Sequence, residues 1–540
     1  MNKIRLLLIG LLCSSILQAQ LNTSGITVKE TNGYKQLHIN NQPFYILGGE
    51  LGNSTASNAG HAKSVWPKLR SLGLNTVLVP VYWELIEPVE NTFDFSLLDD
   101  LINDARQHQL KLVLLWFGTW KNSMSSYVPE WMKTNPRRFP RTLDSAGRSQ
   151  EILSVFGKET LEADKKAFAR LMRFVREKDA KDKTVIMIQV ENEIGMLPTA
   201  REISAVANAA YNDKIPATLY TYLQQQKNKL VPELLERLTK KNIQANDNWE
   251  TVFGKGIVTE EIFQAWHYAA FANEVTAAGK KEYNLPMFVN AALPRPGKLP
   301  GQYPSAGPLP QVMDIWQAAA PAIDMLSPDF YNPDTEYWCD LYVRQNNALF
   351  IPEIKFDSTC GAKAIFVTGR YKVLGFSPFS IENGSPGNNE KLKQAYNLLQ
   401  QLQPVLQSSP VKYMNGVLLD KDNKVQVLKI GDYEFTIKHD YTLGWNTEAA
   451  LPVWPLTSVM IVQLNTNEFI IAGTGAVVTV TSGNKQKVTN LAAVDEVKYA
   501  QNKITDRRRL NGDETHQGRH IRIPVDTWNI QQVKLYQTDH

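Results

Sequence analysis

Between Phe44 and about Glu382, short apolar runs alternate with longer stretches whose apolar residues recur at helical spacing. The runs are Tyr45-Ile46-Leu47 and residues 76–80, 112–116, 185–190, 287–290, 323–326, 349–351 and 373–376. Val185-Ile186-Met187-Ile188 is apolar at every position, the pattern of a strand covered on both faces. Helices are predicted between the runs, over 97–108 and 161–176 for example. Eight strands alternating with helices predict an α/β protein, a parallel (β/α)8 TIM barrel.

Three departures from that alternation define the remaining organisation. A Lys- and Gln-rich helical insertion is expected near 199–279, between the fourth and fifth strands. Residues 26–41, with Gln36-Leu37-His38-Ile39, predict a hairpin that caps the barrel floor. After the loop Gly384-Ser385-Pro386-Gly387 and a helix over 390–403, the period changes to two from about Val411. Stretches such as Val425-Gln426-Val427-Leu428-Lys429-Ile430 and Val477-Val478-Thr479-Val480 are separated by Gly/Asn turns. That pattern predicts a C-terminal all-β domain of sandwich type over 409–540, following a barrel domain over 20–408.

Residues 1–19 have the layout of a secretory leader: Lys3 and Arg5, then an apolar stretch from Leu6 to Leu12, then Leu17-Gln18-Ala19. Cleavage after Ala19 and a secreted or periplasmic location are expected. A lipoprotein would need small residues before Cys13, where Leu11-Leu12 stand. No other run approaches the ~20 apolar residues of a membrane span. A formal charge of +4 on 540 residues is too small a field for nucleic-acid binding. Arg507-Arg508-Arg509, between Asp506 and Asp513-Glu514, reads as a solvated loop. Loss of Cys13 would leave Cys339 and Cys360 in neighbouring barrel loops, where an oxidising compartment permits pairing and the spacing leaves it open. His516 and His520 are four apart in a β-like stretch, which argues against a metal site; neither metal nor cofactor is expected.

In such a barrel the C-terminal ends of the strands form the mouth of the active site. Strand one ends in Gly48-Gly49-Glu50, and strand two runs into Tyr82-Trp83-Glu84. Strand three ends in Trp116-Phe117-Gly118-Thr119-Trp120, and strand four in Glu191-Asn192-Glu193. Strand six ends in Asp329-Phe330-Tyr331, strand seven in Glu353 and strand eight in Glu382. Carboxylates with aromatics, without a phosphate-gripping glycine loop, suit an oligosaccharide or polysaccharide. Retaining glycoside hydrolysis needs two carboxyl groups about 5–5.5 Å apart. Strands four and seven face each other, so Glu193 is the candidate acid/base and Glu353 the candidate nucleophile. Asn192 is positioned to donate to the sugar 2-hydroxyl, and Tyr331 to hold Glu353. Glu50, Glu84, Trp116, Trp120 and Glu382 complete the candidate substrate-binding set. Blander readings stand beside these: Glu193 or Glu353 as a structural carboxylate, Glu50 and Glu382 as loop anchors, the tryptophans as packing. Glu191, two residues before Glu193 on a strand, is expected on the same side but deeper, buried and paired.

The run Ile188-Gln189-Val190-Glu191-Asn192-Glu193-Ile194-Gly195 resembles the signature of glycoside hydrolase family 35, in which Asn-Glu supplies the acid/base. Phe350-Ile351-Pro352-Glu353 is similar to the nucleophile segment of its bacterial branch. Trp83-Glu84-Leu85-Ile86-Glu87-Pro88 with Phe93-Asp94-Phe95, and Gly48-Gly49-Glu50, resemble its second and first βα units. The resemblance spans roughly residues 25–400 and implies exo-β-galactosidase activity with net retention, on oligosaccharides or plant polysaccharide side chains. Where animal and fungal members carry Asn and a carboxylate, this chain has Glu84 and Thr119, with Lys121 or Asn122 as substitutes. The alternatives are a retaining glycosidase for another glycone (glucose, glucosamine or arabinose) and a catalytically inactive carbohydrate-binding barrel.

Overall fold

The computed structural model describes residues 24–31, 33–238, 242–408, 413–501 and 503–539. The leader expected at 1–19, with Cys13, lies outside the described residues. The barrel strands are β1 (Ile46–Leu47), β2 (Thr76–Tyr82), β3 (Lys111–Lys121), β4 (Val185–Asn192), β5 (Met287–Ala292), β6 (Met325–Phe330), β7 (Ile351–Ile354) and β8 (Gly375–Pro378). All pair in parallel, in the order β1-β8-β7-β6-β5-β4-β3-β2. The ring closes just past β1, where the Leu78 N–H donates to Gly49 O at 2.9 Å and the Leu51 N–H to Leu78 O at 3.1 Å. The eight predicted strands are thus the observed ones, with β6, β7 and β8 each beginning two residues later than the apolar runs predict.

Helices cover the outside of the ring. Lys158–Asp179 buries Asp164, Ala167, Phe168, Leu171, Met172 and Val175, a stripe at three- and four-residue spacing that only a helix places on one face. It packs against Ile257–Glu282 with no room at the crossing: a Cβ on Gly279 would lie 2.2 Å from Phe168 Cε1. This second helix is the barrel's own, so the insertion after β4 is confined to short helices between Ala205–Asn212 and Trp249–Phe253.

Strands Ile26–Thr31 and Tyr34–Ile39 form the predicted hairpin, extended by a third strand, Gln42–Phe44. Ser24 donates to Asn284 O at 2.7 Å, just ahead of β5, which places the hairpin at the barrel floor.

The C-terminal domain is all-β, with a six-stranded and a four-stranded antiparallel sheet enclosing Val417, Phe435, Ile461, Phe469, Val478 and Val533. The helix after β7, Cys360–Tyr371, docks on its larger sheet, and glycine is required at the contact. A Cβ on Gly369 would meet the Gly416 backbone at 2.9 Å. Arg507-Arg508-Arg509 is not the expected loop. It lies in the edge strand Lys503–Leu510, where alternating arginines reach Asp495 and Glu496 on the neighbouring strand. Charges on an exposed edge oppose strand addition, which is a physical reason for the run. Cys339 and Cys360 are buried free thiols, not a disulfide.

Candidate active site

The C-terminal end of β4 departs from a strand. Glu191 has φ +61° and Glu193 φ +46°, left-handed values on either side of Asn192. Such conformations cost of order 1–3 kcal/mol each and persist where the surroundings enforce them. Here the loop after β3 does so: Asn122 N–H donates to Asn192 O at 3.2 Å and Ser123 N–H to Glu193 O at 3.1 Å. The Glu193 N–H donates to Asn290 Oδ1 at 3.0 Å.

The twist reverses the expected alternation and separates the two glutamates. Glu193 faces the mouth, whereas Glu191 turns outward into the layer between barrel and helices, buried beside Asp164. It accepts from the Trp120 N–H at 2.8 Å, while Asp164 accepts from Trp116 Nε1 at 2.9 Å and from the Thr119 hydroxyl. Glu191 is therefore buried and paired as expected, but on the other side of the sheet. Burial and the Asp164 charge push its carboxyl well above the usual range, and burial raises Asp164 as well.

Across the mouth, Glu353 ends β7. Carboxylate oxygens of Glu193, Glu353 and Asp329 lie within 4.8 Å of one another, all three residues buried. The Tyr331 hydroxyl donates to Glu353 Oε1. Asn290 Nδ2 donates to Asp329 Oδ2 at 2.7 Å, so one amide orients both Asp329 and the Glu193 backbone.

Buried acids this close cannot all ionise. Burial, and then the charge on Glu353, raise Asp329 and Glu50 well above the ordinary carboxylate range. Burial also raises Glu193. Glu353 is pushed up to about 7 by burial and the charge on Glu193, against the opposing effects of Lys121 and the Tyr331 hydrogen bond. Near neutrality the pair shares one proton. The buried Lys121 ammonium lowers all four carboxyls and balances the remaining negative charge. Three converging carboxyl oxygens fall short of the six to eight that Ca²⁺ takes, and Lys121 already supplies positive charge, so the donor set fits shared protons better than a cation.

The other predicted residues divide. Asn192 is buried at the end of β4, and both polar atoms of its amide lack a protein partner. Glu50 belongs to the carboxyl cluster, beyond its role in closing the ring. Glu382 anchors a loop with Oε1, which accepts from the Gly52 N–H at 3.0 Å and from the Thr55 hydroxyl, while its buried Oε2 has no protein partner. Glu84 is half-buried and pairs with Lys133 at 3.1 Å, on a hollow also lined by Tyr82, Lys121 and Asn122. Trp116 and Trp120 are corrections: both are wholly buried, and neither offers a face to a sugar. Trp116 packs on Trp83 and Phe168, and Trp120 sits edge-on against Tyr268 and Phe271.

Asp329 and Asn290 were missed. Asp329 enters the sequence reading only as part of a strand end, and the predicted run stops at Leu326, four residues before the observed end at Phe330. Asn290 is the one polar residue of β5, Met287-Phe288-Val289-Asn290-Ala291-Ala292, a signal the sequence did contain.

Residues 36–265 match the family model described as glycosyl hydrolases family 35, and residues 392–522 match one described as a domain of unknown function, DUF5597. No curated protein matches the chain significantly. Similar solved structures include the β-galactosidase of the psychrophilic Marinomonas ef1, at 13% identity and a TM-score of 0.46 over 66% of this chain and 60% of that one. The β-galactosidase of Bacillus circulans sp. alkalophilus follows at 14% and 0.45, over 66% and 56%. The catalytic domain of β-amylase from Paenibacillus polymyxa gives 14% and 0.44, over 64% and 96%.

Proposed function

Over residues 36–265 the chain belongs to glycosyl hydrolases family 35, and on that footing we propose that it is a retaining exo-β-galactosidase. The observation that supports this most is the approach of the Glu193 and Glu353 carboxyl oxygens to within 4.8 Å. Inverting enzymes keep the two groups about 6.5–9.5 Å apart to admit a water, whereas double displacement needs about 5–5.5 Å. Ionised Glu353 attacks the anomeric carbon, and Glu193 gives its proton to the departing glycosidic oxygen. Glu193, now a carboxylate, takes a proton from water as that water cleaves the glycosyl-enzyme bond and frees Glu353. Tyr331 holds the attacking carboxylate. The unpartnered Asn192 amide meets the 2-hydroxyl, a contact that strengthens in the oxocarbenium-like transition state. The hollow beside Glu84, Lys121 and Asn122 takes the glycone's remaining hydroxyls. The substrate is a terminal β-galactosyl oligosaccharide or polysaccharide side chain, met outside the cytoplasm as the leader-like residues 1–19 suggest.

A panel of aryl β-glycosides tests the glycone: the galactoside should be cleaved fastest. Preference for glucoside, glucosaminide or arabinoside would move the assignment to that sugar, which Glu84 and Thr119 keep open. Galactoside binding without turnover at any pH would make the barrel a carbohydrate-binding protein.

A further inference from the structure

A second groove begins at Tyr331, whose hydroxyl bonds Glu353, and runs to the C-terminal domain. From the barrel it is lined by Tyr331, Asn332, Lys355 and Asp357, on the segments that follow β6 and β7. From the β domain it is lined by Val453 and Trp454. Tyr331, half-exposed, joins it to the site through its hydrogen bond to Glu353.

The far wall is built for contact. Val453 is 77% exposed, the most exposed large apolar side chain among the described residues. The tryptophan beside it is fixed: Nε1 donates to Ala449 O at 3.1 Å, and the ring packs on His439 at 4.8 Å. The two walls are held in register because the helix after β7 docks on the β domain through Gly369 and Gly416, too close for any larger side chain.

We propose that this groove is the aglycone site, and that the β domain thereby selects extended oligosaccharides over small galactosides. The inference rests on the preceding reading, in which an exo enzyme takes one sugar on the glycone side. The open groove that begins beside Glu353, at Tyr331, then holds the remainder. Its chemistry fits a polyhydroxylated chain: a rigid indole and an apolar tip for sugar C–H faces, with amide, ammonium and carboxylate groups for hydroxyls. The occupant is a neutral oligosaccharide of about two or more further sugar units.

The test is Val453→Arg, which obstructs the groove from an exposed tip without touching the core, together with Trp454→Ala. Each is assayed on the best aryl galactoside and on galactosyl oligosaccharides of three to five units, in the linkage the parent cleaves fastest. Oligosaccharide kcat/KM should fall roughly tenfold or more, mainly through KM. Aryl-galactoside kinetics and the Val453→Arg melting temperature should stay at parent values. Equal loss on both substrates, no loss on either, or a parent with no preference for the longer substrate would overturn the proposal. Calorimetry of oligosaccharide binding to Glu353→Gln protein separates the two readings. If Val453→Arg weakens that binding although the parent turns nothing over, the groove stands and the catalytic reading falls. Unaffected binding sinks the groove.

Discussion

Lys121→Met removes the cation around which the carboxyl cluster is organised while keeping an unbranched side chain one atom shorter. The ammonium acts on Glu50, Glu193, Asp329 and Glu353 alike. Two unit charges about 4 Å apart interact by about 4 kcal/mol at an effective dielectric of about 20. At the larger separations of groups that share a pocket, about half of this remains, which at about 1.4 kcal/mol per unit is about one to two pKa units. Glu353 attacks as the anion, and its carboxyl already stands at about 7 in the protein. Activity is therefore lost as pH falls through about 7. Without Lys121 the acid limb should move up by about one to two units. The assay is kcat/KM for an aryl galactoside from pH 5 to 10. Loss should be about 10- to 100-fold at pH 6 and small at the new optimum. A uniform drop with the acid limb unmoved would refute the electrostatic reasoning and leave Lys121 a packing or substrate contact.

Tyr331→Phe removes a hydrogen bond to a carboxylate, worth about 1.5–3 kcal/mol. The expected result is a fall in kcat of about 10- to 100-fold, a raised acid limb and an unchanged melting temperature, because the ring is half-exposed. Glu191→Gln keeps a donor toward Asp164 and removes the proton. Glu191 is raised on folding, so its contribution to stability is complete below the unfolded carboxylate pKa of about 4.3 and is lost as pH rises toward the folded value. The variant should match the parent near pH 4 and melt progressively higher than it toward pH 9; parallel melting curves across that range would contradict the buried proton.

The barrel was legible because strands buried on both faces leave continuous apolar runs that helices at 3.6-residue period cannot imitate. Glu193 and Glu353 were legible because a parallel barrel sends every strand end to one mouth, however far apart in sequence the ends lie. The rest depended on local geometry that alternation does not encode. Left-handed φ at Glu191 and Glu193 left Glu193 in the mouth but turned Glu191 to the other side of the sheet. Trp116 and Trp120 lie near the mouth in sequence, but their indoles go to the helix layer, where Asp164 and Leu153 O take their N–H groups. The arginine run looked like a loop because charges interrupt apolar alternation, yet an exposed edge strand needs no apolar face. Asp329 stands at the end of strand six in the sequence, but alternation does not encode that its carboxyl converges on those of Glu193 and Glu353.

The central claim is that Glu353 forms the covalent bond to the sugar and Glu193 moves the proton. Azide rescue of Glu353→Gly and Glu193→Ala, with the products' anomeric configuration read by NMR, tests it most directly. The account predicts an α-galactosyl azide from the Glu353 variant, by a single displacement, and a β-galactosyl azide from the Glu193 variant, by attack on the glycosyl-enzyme. The reverse pattern would exchange the two roles, and full activity of either variant without azide would contradict the mechanism.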